Sequence, residues 1–427
     1  MSKQILKELP DLVHAEVIDE ATAQRIRAYY LQQSAQSSNR LFIVFGILGA
    51  LLVGMGIVLI VAHNWDSLPK RIKLAIGFLP LLIGQVTAAY VIIRKMEEKA
   101  WKEGTGVFLF FAIAISISII SQVYHIEGDL DGFLFIWMCL ALPIVYVLRS
   151  AVTSMLYVIG ITWYACEVGY LENSDRYALA YWILLALILP FFYLEYLQTS
   201  LKNNFYYLLS WLLAASVTIC LGVFVDDSEM TIVIAYMSLF SAFVIMSRMR
   251  LFETNRVLTN AFLVIGSFGI ITLLLMLSFD WFWDELKQRE VIFGQPEITV
   301  AAILTMLASY LLFQLLKHHQ WNTINTKSYA FIVFIPLFFV GTELPVLAQL
   351  ITNLLILLFA IYTIRDGAQR NHLGILNYGL MIITGLIFCR FFDTDFSFVF
   401  RGLLFIGVGI GFFAANYYMI QKRKKQA

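Results

Sequence analysis

Beyond residue 40 the chain is a succession of long apolar runs separated by short polar gaps. A helix needs about 20 apolar residues to cross the hydrocarbon of a bilayer. Runs at 41–62, 72–93, 105–124, 132–148, 151–168, 177–197, 205–225, 230–247, 257–278, 298–316, 328–341, 343–364, 372–392 and 396–418 therefore predict about fourteen spans. In lipid every backbone polar group must be satisfied within its own segment, so the fold class is all-α, a polytopic transmembrane helical bundle. The run 328–341 is short and interrupted by Pro336, Gly341 and Pro345, which leaves a re-entrant segment as the alternative. Ahead of the first run, Ile5, Leu6, Leu9, Leu12, Val13 and Val17 recur at helical spacing. Asp19 is placed to cap a second helix carrying Ile26, Tyr29 and Tyr30. Residues 1–40 thus read as a cytosolic helical segment too small to bury a core alone, which packs on the membrane domain or on another copy. The division is 1–40, then a membrane domain over 41–418, then a basic cytosolic tail over 419–427.

Composition supports a bilayer as the solvent. Hydrophobic residues make up 60% of the 427 and charged residues 14%, against about 25% charged in a typical soluble domain. The placement of charge says more than the net value of +1. Lys and Arg are retained on the cytoplasmic side of short loops. With the N-terminus inside, the cytoplasmic gaps hold Arg94, Lys95, Lys99, Lys102, Arg149, Lys202, Arg248, Arg250, Arg256, Lys317, Lys327, Arg365 and Arg370. The outer gaps are mostly acidic, with Glu127, Asp129, Asp131, Asp226, Asp227, Glu229, Asp393 and Asp395. The alternation persists to the basic tail, which predicts an even number of spans with both ends in the cytoplasm. The first outer gap is the exception, since it carries Lys70, Arg71 and Lys73.

The signatures of soluble enzymes are missing: there is no GxxxxGK[ST], HExxH or GxSxG. The four cysteines fall inside apolar runs and form no CxxC, so they read as small buried hydrophobes. His318-His319 has no thiol or carboxylate in its loop, a poor metal site. No metal, cofactor or nucleic-acid partner is predicted. Gly407 and Gly411 form a GxxxG of the kind that lets membrane helices approach closely. Gln85, Gln122, Gln314, Asn260, Asn353 and Asn377 read as interhelical hydrogen-bonding groups. The gap near 279–297, with Phe279, Trp281, Phe282 and Trp283, reads as an interfacial helix whose aromatics form a membrane belt. Glu167 and Glu195 lie near span ends, within reach of the interface.

A charge inside a span is costly and is kept for a reason. Arg390 ends span thirteen with Asp393 one helical turn later, and Arg401 begins span fourteen. They form either an internal ion-pair lock or an anion site of two guanidinium forks. His63, Asn64, Trp65 and Asp66 close the first span on the same predicted side, and His125 closes the third. They read as interfacial anchors and caps, or as a proton-handling pair of His63 and Asp66.

The N-terminal part, from the helical segment through Gly46–Ala62 to His63-Asn64-Trp65-Asp66-Ser67-Leu68-Pro69-Lys70-Arg71 and Lys73, resembles a family of predicted bacterial membrane proteins known only as a domain of unknown function. Arg390-Phe391-Phe392-Asp393 with Arg401-Gly402 resembles a pattern near the end of related polytopic proteins. The resemblance implies a bacterial inner-membrane location and brings no reaction, cofactor or catalytic residue. The leading expectation is that His63, Asn64, Trp65, Asp66, His125, Arg390, Asp393 and Arg401 line an outward-facing pocket. That pocket binds or transports an anionic lipid or lipid-linked solute. The alternatives are a membrane-embedded transferase or hydrolase with His63 as base, and a scaffold or sensor that engages a partner or a second copy through residues 1–40.

Overall fold

The computed structural model describes residues 9–10, 12–15, 17–27, 65–171, 178–197, 203–224, 229–254, 257–288, 296–317, 326–370, 372–393 and scattered positions between 399 and 417. The chain divides into two compact units, Met1–Ile76 and Gly77–Ala427. In the first, residues 20–27 are helical, and the Ala23 amide donates to the Asp19 carbonyl at the predicted cap. A 3₁₀ turn, Trp65–Ser67, follows the first apolar run, and Lys73 lies 5.2 Å from the Trp65 ring centroid.

From Lys70 onward the described residues are helical, with no strand among them. The α-helices are α1 (Lys70–Tyr90), α2 (Lys99–Tyr124), α3 (Leu130–Leu148), α4 (Ala151–Cys166), α5 (Ala178–Phe192), α6 (Asn204–Leu221) and α7 (Glu229–Met246). They continue with α8 (Ala261–Met276), α9 (Asp280–Gln288), α10 (Pro296–Lys317), α11 (Ala330–Glu343), α12 (Pro345–Gln369) and α13 (Leu373–Asp393). Among the described residues, 9 helices are long and apolar enough to cross a membrane, or 10 if α8 and α9 count as one bent span. Ile232–Met246 and Ala330–Glu343 are shorter apolar helices. The expected first span, 41–62, lies outside the described residues, and the expected last, 396–418, is described only at scattered positions. The chain is thus an all-helical, multi-pass membrane protein.

Two apolar cores share α6. One gathers Phe110 of α2, Leu134 and Met138 of α3, Tyr157 and Ile161 of α4, Tyr181 of α5 and Tyr206 and Leu209 of α6. The other runs from Ala214 and Leu221 of α6 through α7–α12 to Ile382 of α13. Helices α12 and α13 form a close hairpin. A methyl group on Gly367 would stand 2.4 Å from the Leu376 amide nitrogen, and one on Gly379 would stand 2.8 Å from that of Ile364. The glycines at 402, 407, 409 and 411 instead face open space. Among the described residues no partner meets the predicted GxxxG, whereas close packing is seen at α12–α13.

The polar groups expected to bond between helices do so in part. Asn260 caps α8, accepting from the Leu263 amide at 3.1 Å, and also donates to the Ser247 and Phe252 carbonyls. Gln314 bonds Tyr310 on its own helix, whereas Asn377 accepts from Asn416 across helices at 3.0 Å. Glu167 opens a π turn after α4 and is 8% exposed, buried rather than reaching outward.

Candidate functional site

The apolar run 257–278 does not continue straight into the aromatic segment that follows it. Helix α8 ends at Met276, and its last turn tightens: the Leu277, Ser278 and Phe279 amides donate to Leu273, Leu275 and Met276. Asp280 then starts α9, bent 74° from α8. Such a break frees carbonyl groups that the next turn of helix would have used. In an apolar setting each free group needs another donor.

The Ser278 carbonyl finds several. Gln349 Nε2 donates to it at 3.2 Å and Asn353 Nδ2 approaches at 3.5 Å. Gln349 and Asn353 are four residues apart on α12, so they share one face of that helix. Arg390, near the end of α13, donates to the same carbonyl, and to Ser278 Oγ at 3.2 Å. Its guanidinium also lies 5.4 Å from the Phe279 ring centroid, a cation–π contact. Ser278 itself is fully buried. Asn353 Oδ1 is buried and accepts no hydrogen bond.

Helix α9 is held from its other face. Trp283 is fully buried, its indole N–H donates to the Leu277 carbonyl at 2.7 Å, and a methyl group on Gly341 would stand 2.3 Å from its ring. Phe282 is buried too, and only Trp281 is half exposed. The predicted aromatic belt is therefore mostly core. Hydropathy cannot separate the two, because rings that favour an interface also favour a packed interior.

Beside this junction lies a recess of about 610 Å³, lined by Asp280, Gln349, Asn353 and Arg390 and walled by Leu350, Leu354, Leu357 and Leu386. Leu350 and Leu354 are more than half exposed, so the wall opens on the lipid-facing surface. The recess thus joins one cation, one carboxylate and two primary amides to an apolar slope, a lining that suits a polar head with an apolar tail. Ser278 Oγ donates to the Leu275 carbonyl and accepts from Arg390. Among the described residues no group of three His, Cys, Asp or Glu side chains is arranged to hold a metal.

The sequence candidates fall in different parts of the chain, and not all of them are described. His63, Asn64 and Arg401 lie outside the described residues. Trp65 and Asp66 belong to the 3₁₀ turn of the first unit. His125 closes α2 in the left-handed conformation, φ 53°, with its amide donating to the Ser121 carbonyl. Helix α2 packs on α3 and α4, whereas α13 packs on α12 and α8. Of the expected set, Arg390 stands in the recess, and Asp393 ends the same helix. Gln349, Ser278 and Asp280 escaped the sequence reading. The available signal was the spacing of Gln349 and Asn353 on an otherwise apolar face.

Residues 10–154 match the family Predicted membrane protein (DUF2157). That match runs from the first unit into α4, so the recess lies outside it, and the family description gives membrane residence without an activity. No curated protein and no solved structure matches the chain.

Proposed function

We propose that this multi-pass membrane protein binds an amphiphile with an anionic head, a lipid or lipid-linked solute, in the recess between α9, α12 and α13. One observation carries the reading: a guanidinium, Arg390, stands at the polar end of a leucine-walled recess open to lipid. A cation in such a setting is expensive to retain, and an anionic head supplies charge-assisted hydrogen bonds to it. Gln349 and Asn353 add amide donors, and the buried Asn353 Oδ1 offers an acceptor to a hydroxyl of the head. The charge pattern of the loops supports a recess that opens away from the cytoplasm, in a bacterial inner membrane with both chain ends inside.

The test is binding of phosphatidic acid to purified protein, followed by native mass spectrometry. Arg390→Gln is expected to weaken binding at least about 30-fold, the fold-change for roughly 2 kcal/mol lost with a buried charged partner. Because Arg390 also holds the helix junction, Leu354→Trp is the second variant, filling the recess from its exposed wall without touching Ser278. Loss of binding in both supports the reading. Unchanged binding in Leu354→Trp excludes this recess.

A further inference from the structure

A second surface feature lies in α1 and α2, away from the recess and independent of the reading above. The two helices touch closely where α1 is smallest: a methyl group on Gly84 would stand 2.7 Å from Leu109, and Ser116 Oγ donates to the Gly77 carbonyl at 2.8 Å. Nearer the loop they part around a groove of about 420 Å³, lined by Ile83, Thr87, Trp101, Gly104, Thr105 and Phe108. Gly104 lets it open, since no atom lies within 4 Å of a methyl group placed there. Ile83, Trp101 and Phe108 are each more than two-fifths exposed, and Thr87 spends its hydroxyl on the carbonyls of its own helix. The groove is therefore a mainly apolar slot, with no charged side chain in its lining.

The chain that joins the two helices beside this end of the groove is charged. The segment between the helices and the first turn of α2 carry Arg94, Lys95, Lys99 and Lys102 against Glu97, Glu98 and Glu103. Lys95 pairs with Glu98 at 2.6 Å. Glu103 turns to α4, accepting from the Ser150 hydroxyl at 2.5 Å and from the Ala151 and Val152 amides at 3.1 and 2.9 Å. Among the described residues that leaves Arg94, Lys99 and Lys102 in no ion pair, with Glu97 as the one remaining carboxylate. From Lys99 to Phe108 the helix rises roughly 14 Å, about the distance from a headgroup layer into the hydrocarbon. Trp101, in edge contact with Tyr90 at 5.9 Å between ring centroids, marks the polar–apolar border between them.

We infer that the α1–α2 groove is a binding site for one anionic phospholipid, its phosphate held by Arg94, Lys99 and Lys102 and an acyl chain lying along Gly104. The charge balance decides the occupant. A zwitterionic lipid fits the slot and offers the same phosphate, but its own cation repels Arg94, Lys99 and Lys102 and offsets that gain, whereas an anionic lipid keeps it.

The protein is reconstituted with vesicles of equal parts phosphatidylglycerol and phosphatidylcholine, extracted, and its retained lipids are weighed by native mass spectrometry. Wild type is expected to retain phosphatidylglycerol in preference. Lys99→Gln and Lys102→Gln each lower that retention about fivefold. Gly104→Leu abolishes it by filling the slot, and folds because the position is open space on a helix. All of these comparisons, the wild-type groove included, are made in an Arg390→Gln background, so that lipid held in the recess does not enter them and the groove is read by itself. Equal retention of the two lipids, or retention that survives Gly104→Leu, overturns the inference. So does a dimer that Gly104→Leu dissociates, since a second copy would then be the occupant.

Discussion

Glu103 performs from a neighbouring helix the task that a local cap usually performs. Its carboxylate takes two amides at the start of α4, and Ser150, itself the N-cap of that helix, both donates to it and accepts from the Thr153 amide at 3.1 Å. Hydrogen bonds to a charged group are worth about 1.5–3 kcal/mol. Glu103→Ala is therefore expected to lower unfolding stability in micelles by about that amount, read from the far-ultraviolet signal during denaturant titration. A drop no larger than that of an exposed carboxylate such as Glu97 would count against the clamp. Nothing in the sequence marks this residue, because its partners stand almost fifty positions later, and a charged residue beside a loop reads as solvated. Arg390 was legible for the opposite reason: its cost in an apolar run is local. His125 was legible as a helix end, and its positive φ explains its position there as a chain-turning residue rather than as a member of the recess.

At the scale of elements, length and apolarity located the helices well, since a run of the required length has few other options in lipid. The run 328–341, doubtful because of its prolines, forms α11 with Pro336 inside it and stops at Leu344, before Pro345 opens α12. What the runs could not disclose is the bend after Met276. Its position follows from Trp283 sinking against Gly341 and from amides on α12, contacts between segments far apart in sequence. Helix pairing was equally hidden. Glycines at 367 and 379 make the α12–α13 contact, while the more conspicuous glycines at 407 and 411 meet nothing among the described residues. Gly379→Val is accordingly expected to destabilise the fold by about 1–3 kcal/mol through overpacking against backbone. Gly402→Val is expected to leave it within about 0.5 kcal/mol. The two are compared by thermal unfolding of purified protein, and equal melting temperatures would remove the hairpin from the account.

For the whole molecule, the contacts fix relative direction: the ends of α8, α11 and α13 and the start of α12 meet around α9, so α12 runs against the other three. On the proposed reading the loop charges add absolute direction, with that end outside. A cysteine at Gly128, in the loop between α2 and α3, is then expected to react with an impermeant maleimide in intact cells. One at Lys99 is expected to react only after the membrane is opened. The reverse pattern would turn the recess toward the cytoplasm. The Ser278 carbonyl gives the recess one more property. A guest that engages the Arg390 guanidinium competes with an oxygen that also relies on it, and leaves that oxygen to two amides. Occupancy and the angle between α8 and α9 are then thermodynamically linked, each able to bias the other. The kink becomes a lever whose position records whether the seat is filled.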